Sequence, residues 1–383
     1  MPPLRVSLLD PSASTPPYDR LLAAALARAG AEVELLTSRF VYGPVPAAEG
    51  YVARESFYRR SAAAGAGSKR RLPLKAAAHL PDMLRVRSRL RAADVAHWQW
   101  LALPVADRFL IGPRPGGRPR VITVHYPLPD PGEGRALSRQ RRILSRFDAV
   151  VTHTRGGAAR LADDVGLDPA RVHVIAHGPL DYLTRLPDER PLPPELAAVE
   201  APVILFFGLL REYKGVDTLL EAFARMDGAG GERPELWIAG MPRMPLEPLR
   251  ELAARAPGTV RFIPRFIPDP EIPALLRRAD VLALPYRRIE QSGVLHAGLA
   301  FGKPMVLGDV GGFSEVGARG AARLVPPGDP AALTAALSDL IDHPERRAEL
   351  AAAAARAIEG EFGWDAIAAR TIELYRSLGA GTR

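Results

Sequence analysis

Two cations follow a short apolar run near the middle of the chain, in the stretch FFGLLREYKG at residues 206–215. Arg211 and Lys214 lie between a predicted strand at 203–207 and a helical pattern that begins at Val216. A helix N-terminus offers free backbone N–H groups and the positive end of the helix dipole to an anion. An arginine adds a bidentate fork and a lysine adds a mobile charge, so the stretch predicts a diphosphate site, with a solvated loop as the alternative.

A second candidate anion site follows the predicted strand at 281–284. Ser292 precedes Gly293, Val294 and Leu295, which should open a helix. Their N–H groups and the Ser292 hydroxyl would attract a phosphate. The alternative is that Ser292 only caps this helix, and the two roles are compatible.

Short apolar strands alternate with helical segments, which predicts an α/β protein with parallel sheets and right-handed crossovers. Polar side chains at the carboxyl ends of such strands gather along one rim of the sheet. In the first half of the chain this rule selects Asp10, His97, Trp98, His125, Tyr126, His153 and His177. The basic stretch after Tyr51 is interpreted as loop and helix.

A proline-rich stretch divides the chain. Residues 183–201 contain four prolines and no strand pattern, which is typical of a linker. Two similar halves joined by a linker favour two Rossmann-like domains facing a cleft that holds the ligand. We predict a first domain at 1–185, a linker at 186–201, a second domain at 202–362, and at 363–383 a C-terminal helix that returns to the first domain.

The composition narrows the class of protein. The chain has 383 residues, 47% of them hydrophobic, and no cysteine, which excludes disulfide and thiolate chemistry and is typical of a reducing cytoplasm. No window holds the roughly 18 uninterrupted apolar residues of a membrane span. The N-terminus does not resemble a signal peptide, because Asp10 directly follows a short apolar run. We therefore expect a cytoplasmic protein.

The formal net charge of +8 is concentrated in the first half. Eleven Lys and Arg residues lie between Arg54 and Arg91, against the two acids Glu55 and Asp82. The leucines interspersed among them would suit an anionic membrane surface, which would make the protein peripheral at the inner face of the membrane. A solvated face in an arginine-rich sequence is the other interpretation. Nucleic-acid binding is disfavoured, because interleaved aromatic pairs and a recognisable binding motif are missing.

Several motifs together carry a family resemblance. They are FGLLREYKGVDTLLEAF (207–223), ADVLALPY (279–286), QSGVLHAGLAFGKP (291–304) and DVGGFSEV (309–316), supported by VHVIAHG (172–178) and FGWDAIAARTIELY (362–375). In order and spacing they resemble the retaining, nucleotide-sugar-dependent glycosyltransferases of family 4, which have the GT-B fold. The resemblance covers the second domain and, more weakly, the first.

The resemblance implies a role for each matching residue in the second domain. Arg211 and Lys214 match the cations that hold the donor diphosphate, and Gly293, Val294 and Leu295 match the backbone beside the distal phosphate. A UDP or GDP leaving group needs such cations and N–H dipoles, because negative charge grows on the diphosphate during transfer.

The resemblance also implies a nucleoside side and an acceptor side. The strand end at Ile263, Pro264 and Arg265 frames the base, with Gly208 nearby. His125 resembles a histidine near the transferred sugar, and Asp10, His97 and Trp98 belong to the acceptor side. The fold generally uses no metal and no cofactor beyond the nucleotide-sugar substrate, so the expected partners are a nucleoside-diphosphate sugar and an acceptor, which is a glycan, a lipid or a small molecule.

One departure from the family keeps other functions open. Relatives place two glutamates eight positions apart where this chain has Ile289 and Ala297, and Leu209 stands where many have a basic residue. Glu290 is adjacent to the first slot and is the candidate catalytic substitute. The alternatives to a transferase are a nucleotide-sugar epimerase or hydrolase of the same fold, and a catalytically impaired protein that binds a sugar nucleotide or a lipid.

Overall fold

The computed structural model describes residues 2–65, 68–111, 117–126, 128–226, 233–289 and 291–381. Contacts divide them into two compact units. Unit 1 comprises the residues up to Gly178 together with those from Glu361 onward, and unit 2 comprises Pro179–Gly360. Each unit is built around one parallel sheet, so the prediction of two Rossmann-like α/β domains is confirmed.

Unit 1 contains a seven-stranded sheet of order β3-β2-β1-β4-β5-β6-β7. Its strands are β1 (Arg5–Asp10), β2 (Glu32–Ser38), β3 (Val52–Phe57), β4 (Val95–Trp98), β5 (Arg120–Thr123), β6 (Ala149–Thr152) and β7 (Val172–Val174). Its helices are α1 (Pro16–Arg28), α2 (Arg59–Ala63), α3 (Arg71–Ala92), α4 (Pro104–Leu110), α5 (Gly134–Leu144), α6 (Arg155–Asp163) and α15 (Trp364–Ser377).

The central strand β1 shows why this sheet is covered on both faces. Successive side chains of a strand point to opposite faces. Leu8 packs into one core with α1 and α15, while Leu9 packs into a second core with residues of α3, α5 and α6. A strand buried on both faces reads as a continuous apolar run, which is why β1 was predictable.

The last helix completes the first of these cores. Trp364, Ile367 and Tyr375 of α15 are buried together with residues of α1 and β1. Packing is close at Gly178, where a Cβ atom would lie 2.4 Å from the Trp364 ring. The prediction that the C-terminal helix returns to the first domain is confirmed.

Strand β3 corrects the interpretation of the stretch after Tyr51 as loop and helix. It pairs in parallel with β2 at the edge of the sheet, and only Phe57 among its residues is fully buried. The helix predicted in the same stretch is present as α3. The strand was missed because an exposed, charged edge strand carries no apolar run.

Unit 2 contains a six-stranded sheet of order β10-β9-β8-β11-β12-β13. Its strands are β8 (Val203–Phe207), β9 (Glu235–Ala239), β10 (Val260–Ile263), β11 (Val281–Leu284), β12 (Met305–Gly308) and β13 (Arg323–Val325). Its helices are α7 (Pro194–Ala197), α8 (Val216–Phe223), α9 (Glu247–Ala253), α10 (Ile272–Arg278), α11 (Gly293–Ala300), α12 (Gly312–Gly317), α13 (Pro330–Asp342) and α14 (Pro344–Glu359).

The proline-rich stretch interpreted as a linker lies in unit 2. It includes the short helix α7, whose Leu196 is buried. The Arg190 N–H donates to the Pro270 carbonyl at 2.7 Å, and Arg277 forms an ion pair with Glu189 at 3.0 Å. These bonds tie the stretch to α10 and the turn before it. Among the described helices, none is both long enough and apolar enough to cross a membrane.

Candidate functional site

The loop after β8 is shaped by two glycines. Gly208 has φ +117°, and a Cβ there would lie 3.1 Å from both the Lys214 Nζ and a Val294 methyl carbon. Gly215 has φ +67°, and a Cβ there would come within 2.2 Å of the Pro285 carbonyl oxygen. Side-chain-bearing residues fit neither position, so the chain turns tightly from β8 into α8.

Lys214 is the buried cation of this loop. It ends the 3-10 turn Glu212–Lys214, is only 7% exposed, and holds its Nζ 4.8 Å from the centre of the Tyr286 ring. Burial, and secondarily the positive charge of Arg211, lower the pKa of Lys214 to about 8. Among the described residues no carboxylate pairs with Lys214, so this poorly hydrated ammonium is well prepared to receive an anion.

Arg211 and Arg287 have different roles in the same loop. Arg211 is exposed, and its guanidinium has no carboxylate partner in the part of the chain that the structure describes. Arg287 instead fastens the loop to the end of β11: its guanidinium donates to Asp217 Oδ2 at 2.7 Å and to Thr218 Oγ1 at 2.9 Å, and its backbone N–H donates to the Tyr213 carbonyl at 2.7 Å. Sequence reasoning missed Arg287.

The N-terminus of α11 supplies hydrogen-bond donors. Ser292 is buried at the N-cap position, but its hydroxyl makes no capping bond. Among the described residues, no acceptor is paired with the backbone N–H groups of Gly293, Val294 and Leu295, as expected in the first turn of a helix. Gly293 and Val294 line a pocket with Lys214, whereas the side chain of Leu295 lies in the core.

This pocket has a volume of about 390 Å³ and brings together the two predicted anion sites. Gly208 and Lys214 line one wall and Ser292, Gly293 and Val294 another. A cation and unpaired N–H groups facing one pocket can stabilise a phosphate oxygen from two directions.

Three further residues of the pocket were missed by sequence reasoning. The Tyr182 hydroxyl donates to Asp269 Oδ2 at 2.7 Å, and Phe266 exposes its ring at the pocket rim. Phe266 follows directly on the predicted base-framing segment, so its position could have been found there. Tyr182 could not, because it comes from a distant 3-10 turn with no local pattern.

The three residues predicted for the acceptor side lie in unit 1. Their side chains form hydrogen bonds or packing contacts with other residues of that unit. Asp10 is buried and accepts backbone N–H bonds from Ser12, Ser14 and Thr15, so its carboxylate holds the loop after β1. His97 is also buried, with Nδ1 2.6 Å from the Tyr375 hydroxyl and Nε2 2.8 Å from Thr123 Oγ1.

Trp98 packs edge-on against Phe147 in the second core. Because β4 ends at Trp98, the residues that follow the strand end are Gln99 and Trp100. His97 and Trp98 are the last two residues of this strand and point into the two cores, and their assignment to the acceptor side stays a prediction.

His125, His153 and His177 do come together, at the carboxyl ends of β5, β6 and β7. The ring centres of His125 and His153 are 4.8 Å apart, and those of His153 and His177 are 5.2 Å apart. Tyr18 packs against all three rings. Burial lowers the pKa of His153 to about 4 and holds the pKa of His125 well below its usual range. Within the described ranges, no group of acidic or histidine side chains is arranged to hold a metal ion.

Comparison with known proteins identifies the family. Residues 20–178 match the family described as Glycosyltransferase Family 4, and residues 201–343 match the family described as Glycosyl transferases group 1. The chain belongs to these glycosyltransferases. A similar relative, the D-inositol 3-phosphate glycosyltransferase of Kineococcus radiotolerans, is 29% identical over 93% of this chain and 88% of its own length.

Solved structures share the fold of this glycosyltransferase. The sucrose-phosphate synthase of Thermosynechococcus elongatus has a TM-score of 0.72 at 19% identity and covers 98% of this chain and 99% of its own. The Anabaena protein HepE in complex with UDP and glucose has a TM-score of 0.70 at 18% identity, with 98% and 100% coverage. The predicted GT-B architecture is confirmed.

The residues predicted to frame the base do not line the pocket that contains Lys214. Ile263, Pro264 and Arg265 line a separate pocket of about 580 Å³, where Arg265 pairs with Glu271. The chain turns sharply at the end of β10, with the Arg265 N–H donating to the Ile263 carbonyl at 2.9 Å. Phe266 and Ile267 consequently face the pocket around Gly208.

The two positions at which the resemblance implies glutamates both face this pocket. Ile289 and Ala297 line it, so the departure from the family pattern lies within the candidate site. Gln291 also lines the pocket, with Oε1 2.9 Å from His296 Nε2. Glu290, the predicted catalytic substitute, lies outside the described residues.

Proposed function

We propose that this glycosyltransferase takes its sugar from a nucleoside diphosphate, UDP or GDP, and that the pocket of unit 2 holds the diphosphate. The observation that carries the proposal is the convergence on one pocket of the buried Lys214 ammonium and the unpaired N–H groups of α11. HepE, which shares the fold, is described in complex with UDP and glucose, and this supports a uridine donor.

The proposed mechanism is electrostatic stabilisation of the leaving group. As the bond between the sugar and the diphosphate breaks, negative charge grows on the distal phosphate. Lys214 would meet that charge from one side and the N–H groups of Gly293, Val294 and Leu295 from another, with Arg211 adding charge from the loop surface. We propose that transfer retains the configuration of the sugar and requires no separate cofactor.

We assign the nucleoside to the part of the pocket around Gly208 and Phe266. An exposed aromatic ring beside a pocket offers a face on which a base can stack. The nearby Asp269 carboxylate, already joined to Tyr182, is an acceptor that a ribose hydroxyl can use. This arrangement would compensate for Ala297 in the position where relatives have a glutamate.

We propose that unit 1 contributes His125 to the transferred sugar and also supplies the acceptor site. The acceptor is a glycan, a lipid or a small molecule. The relative named D-inositol 3-phosphate glycosyltransferase makes that phosphorylated polyol the first small acceptor to test.

Ligand-induced stabilisation tests the donor. UDP-, GDP-, ADP- and dTDP-sugars are compared at one common concentration, and a sugar nucleotide that binds the folded protein alone and is present at a hundred times its Kd adds about 2.7 kcal/mol to the free energy of unfolding. We expect a shift in Tm with one base and weaker shifts with the others. Product formation with inositol 3-phosphate, and the anomeric configuration of the product by NMR, test transfer and retention. If no nucleotide shifts the Tm, the donor assignment is wrong.

We also propose peripheral contact between unit 1 and an anionic membrane surface. Helix α3 exposes Leu72 by 74%, Leu80 by 52% and Leu84 by 53%, and arginines continue along its last turns. Arg85 and Arg89 pair with Asp82 and Glu34, whereas Arg87 and Arg91 have no carboxylate partner among the described residues. Exposed leucines beside such arginines suit the boundary between lipid headgroups and acyl chains.

A further inference from the structure

Four groups of unit 1 form one continuous row of hydrogen bonds. The Ile175 carbonyl oxygen lies 2.9 Å from His153 Nδ1, and His153 Nε2 lies 3.0 Å from His125 Nδ1. At the far end, His125 Nε2 lies 3.0 Å from Gln99 Oε1. Each ring therefore uses both of its nitrogens inside the row.

Counting hydrogens shows that this row cannot be neutral with the Gln99 oxygen at its end. A carbonyl oxygen only accepts, so His153 Nδ1 and His125 Nε2 would each need a hydrogen, and the contact between the two rings needs a third. Two neutral imidazoles carry only two. With Oε1 against His125, the row must carry one positive charge.

The buried surroundings of the two histidines disfavour a positive charge on this row. Burial lowers the pKa of both histidines, that of His153 to about 4, so both are neutral near pH 7. The Gln99 amide nitrogen is buried and has no hydrogen-bond partner among the described residues. Turning the amide by 180° places that nitrogen against His125 Nε2 and satisfies it at the cost of an unpaired carbonyl, which proteins tolerate better.

We propose that the Gln99 amide donates to His125 Nε2 and that His153, held by the Ile175 carbonyl, accepts from His125 Nδ1–H. His153 is then a positioning residue that fixes the tautomer of His125. A histidine side chain in water favours the opposite tautomer, with the hydrogen on Nε2, so the row imposes the less common form.

Aromatic packing holds the His125 ring in the required plane. Trp100 stacks on His125 at an interplanar angle of 14° with ring centres 5.5 Å apart, and Tyr18 meets it edge-on at 4.8 Å. The Trp100 ring is fixed in turn by an Nε1–H bond to Thr15 Oγ1 at 2.8 Å. Rotation of His125 out of the row would break these contacts as well as both hydrogen bonds.

The consequence for transfer rests on the proposed role of His125 near the sugar. Because both nitrogens are used within the protein, His125 stays neutral and cannot act as a general acid or base without breaking the row. Its ring would contact the sugar in one fixed orientation and without a charge. His153, one hydrogen bond further from the sugar, would then affect turnover through the orientation of His125 and not through donor affinity.

Nuclear magnetic resonance of protein labelled with ¹⁵N-histidine tests the tautomer directly. The signals of His125, recognised by their loss in His125→Ala, should show a hydrogen on Nδ1 and a bare Nε2 near pH 7. A bare Nδ1, or hydrogens on both nitrogens, would overturn the inference whatever the activity.

Substitutions at His153 test its positioning role. In His153→Phe the acceptor is lost, so His125 should revert to the Nε2–H tautomer and kcat should fall about tenfold, as for one lost hydrogen bond, with the donor KM within about twofold. His153→Gln places an amide oxygen near the former Nε2 and should restore both the Nδ1–H signal and the rate. A folded His153→Phe protein that keeps the Nδ1–H tautomer would contradict the proposal. An unchanged kcat in His125→Ala would instead overturn the role of His125 in transfer, while the wild-type spectrum decides the tautomer by itself.

Discussion

At the scale of single residues, Lys214 is the group whose charge the proposed function depends on most. Burial in the loop after β8 lowers its pKa to about 8, whereas a solvated lysine stays charged well above that pH. A bound anion prefers the charged ammonium and would raise the pKa again. The affinity for an anion is therefore coupled to pH in a range where a solvated lysine stays charged.

We predict that UDP binding weakens as the pH rises through about 8. Below that value the free protein already holds the proton that the anion needs, and above it binding must be accompanied by proton uptake, which costs up to about tenfold in Kd per pH unit. Calorimetric titrations with UDP between about pH 6.5 and 9.5 measure this. Lys214→Arg, which stays charged throughout, should bind more weakly than wild type near pH 7 but with a flat profile. A flat profile in the wild type would contradict the prediction.

Removing either cation of the loop should weaken binding of the nucleoside diphosphate. A charge-assisted hydrogen bond contributes about 1.5–3 kcal/mol, so Arg211→Ala and Lys214→Ala should each raise the Kd for UDP or GDP by about one to two decades and slow transfer. The nucleoside monophosphate should be affected less, because it lacks the distal phosphate. Arg250→Ala, which removes an exposed cation from α9, is the matched control. If both loop variants bind and react like the wild type, the loop is not the phosphate site.

The residues of the site were predictable only where a local pattern marked them. Lys214 and the first turn of α11 follow apolar strands and precede helical patterns, and the structure brings them to one pocket. His97 and Trp98 were selected because they end an apolar strand, and β4 does end at Trp98, but the apolar run does not show that both side chains point into the cores. Tyr182 comes from a turn far away in the sequence, and only the folded chain places it beside Asp269.

At the scale of elements, strands and helices with an apolar face were predicted well and exposed ones were not. The apolar runs of β1, β6, β8 and β11 match strands that are buried almost throughout. Strand β3 was missed because its edge position leaves it charged and exposed. Helix α3 was expected in outline, but the side that its leucines face depends on the position of the sheet.

Helix α3 is the element on which the membrane proposal depends. We predict that the protein binds anionic liposomes at low ionic strength and dissociates as salt rises, because exposed charges are screened over about 10 Å at 0.1 M salt. Reversing Arg85, Arg87, Arg89 and Arg91 to Glu should abolish binding and leave donor affinity unchanged. Co-sedimentation with vesicles containing an anionic lipid measures this.

The control for this charge reversal changes the net charge by the same amount, but on unit 2. Four exposed arginines of that unit are replaced by Glu: Arg225, Arg250, Arg255 and Arg356. This variant should still bind the vesicles. Wild-type protein that stays in the supernatant at low salt, or a control that loses binding equally, would leave α3 as a solvated helix.

At the scale of the whole molecule, the buried histidines of unit 1 make its stability depend on pH. Burial lowers the pKa of His97 to about 3 and of His153 to about 4, while the unfolded chain takes up these protons near pH 6.5. Because the unfolded state binds more protons below that pH, the free energy of unfolding falls as the pH drops from about 6.5 toward 4.

We predict a loss of up to about 1.4 kcal/mol per pH unit for each such histidine, measured by urea unfolding between about pH 7.5 and 4.5. His97→Gln keeps hydrogen-bonding capacity toward Tyr375 and Thr123 but cannot take up a proton. Its free energy of unfolding should therefore fall less steeply with decreasing pH, by a slope that corresponds to about one proton. His343→Gln, which removes a half-exposed histidine from unit 2, is the control. Equal slopes in all three proteins would show that His97 is not one of the groups responsible.

The order of synthesis has a consequence for the core that α15 completes. The ribosome makes the whole of unit 2, residues 179–360, after most of unit 1 and before α15. At about 5–20 residues per second, the nascent first unit must wait roughly 10–40 s for Trp364, Ile367 and Tyr375. During that interval the apolar face of α1 and β1 lacks its cover, whereas unit 2 is continuous in the chain and can fold as soon as it emerges. Nascent chains halted before residue 361 should therefore bind chaperones through unit 1, and those released with α15 should not.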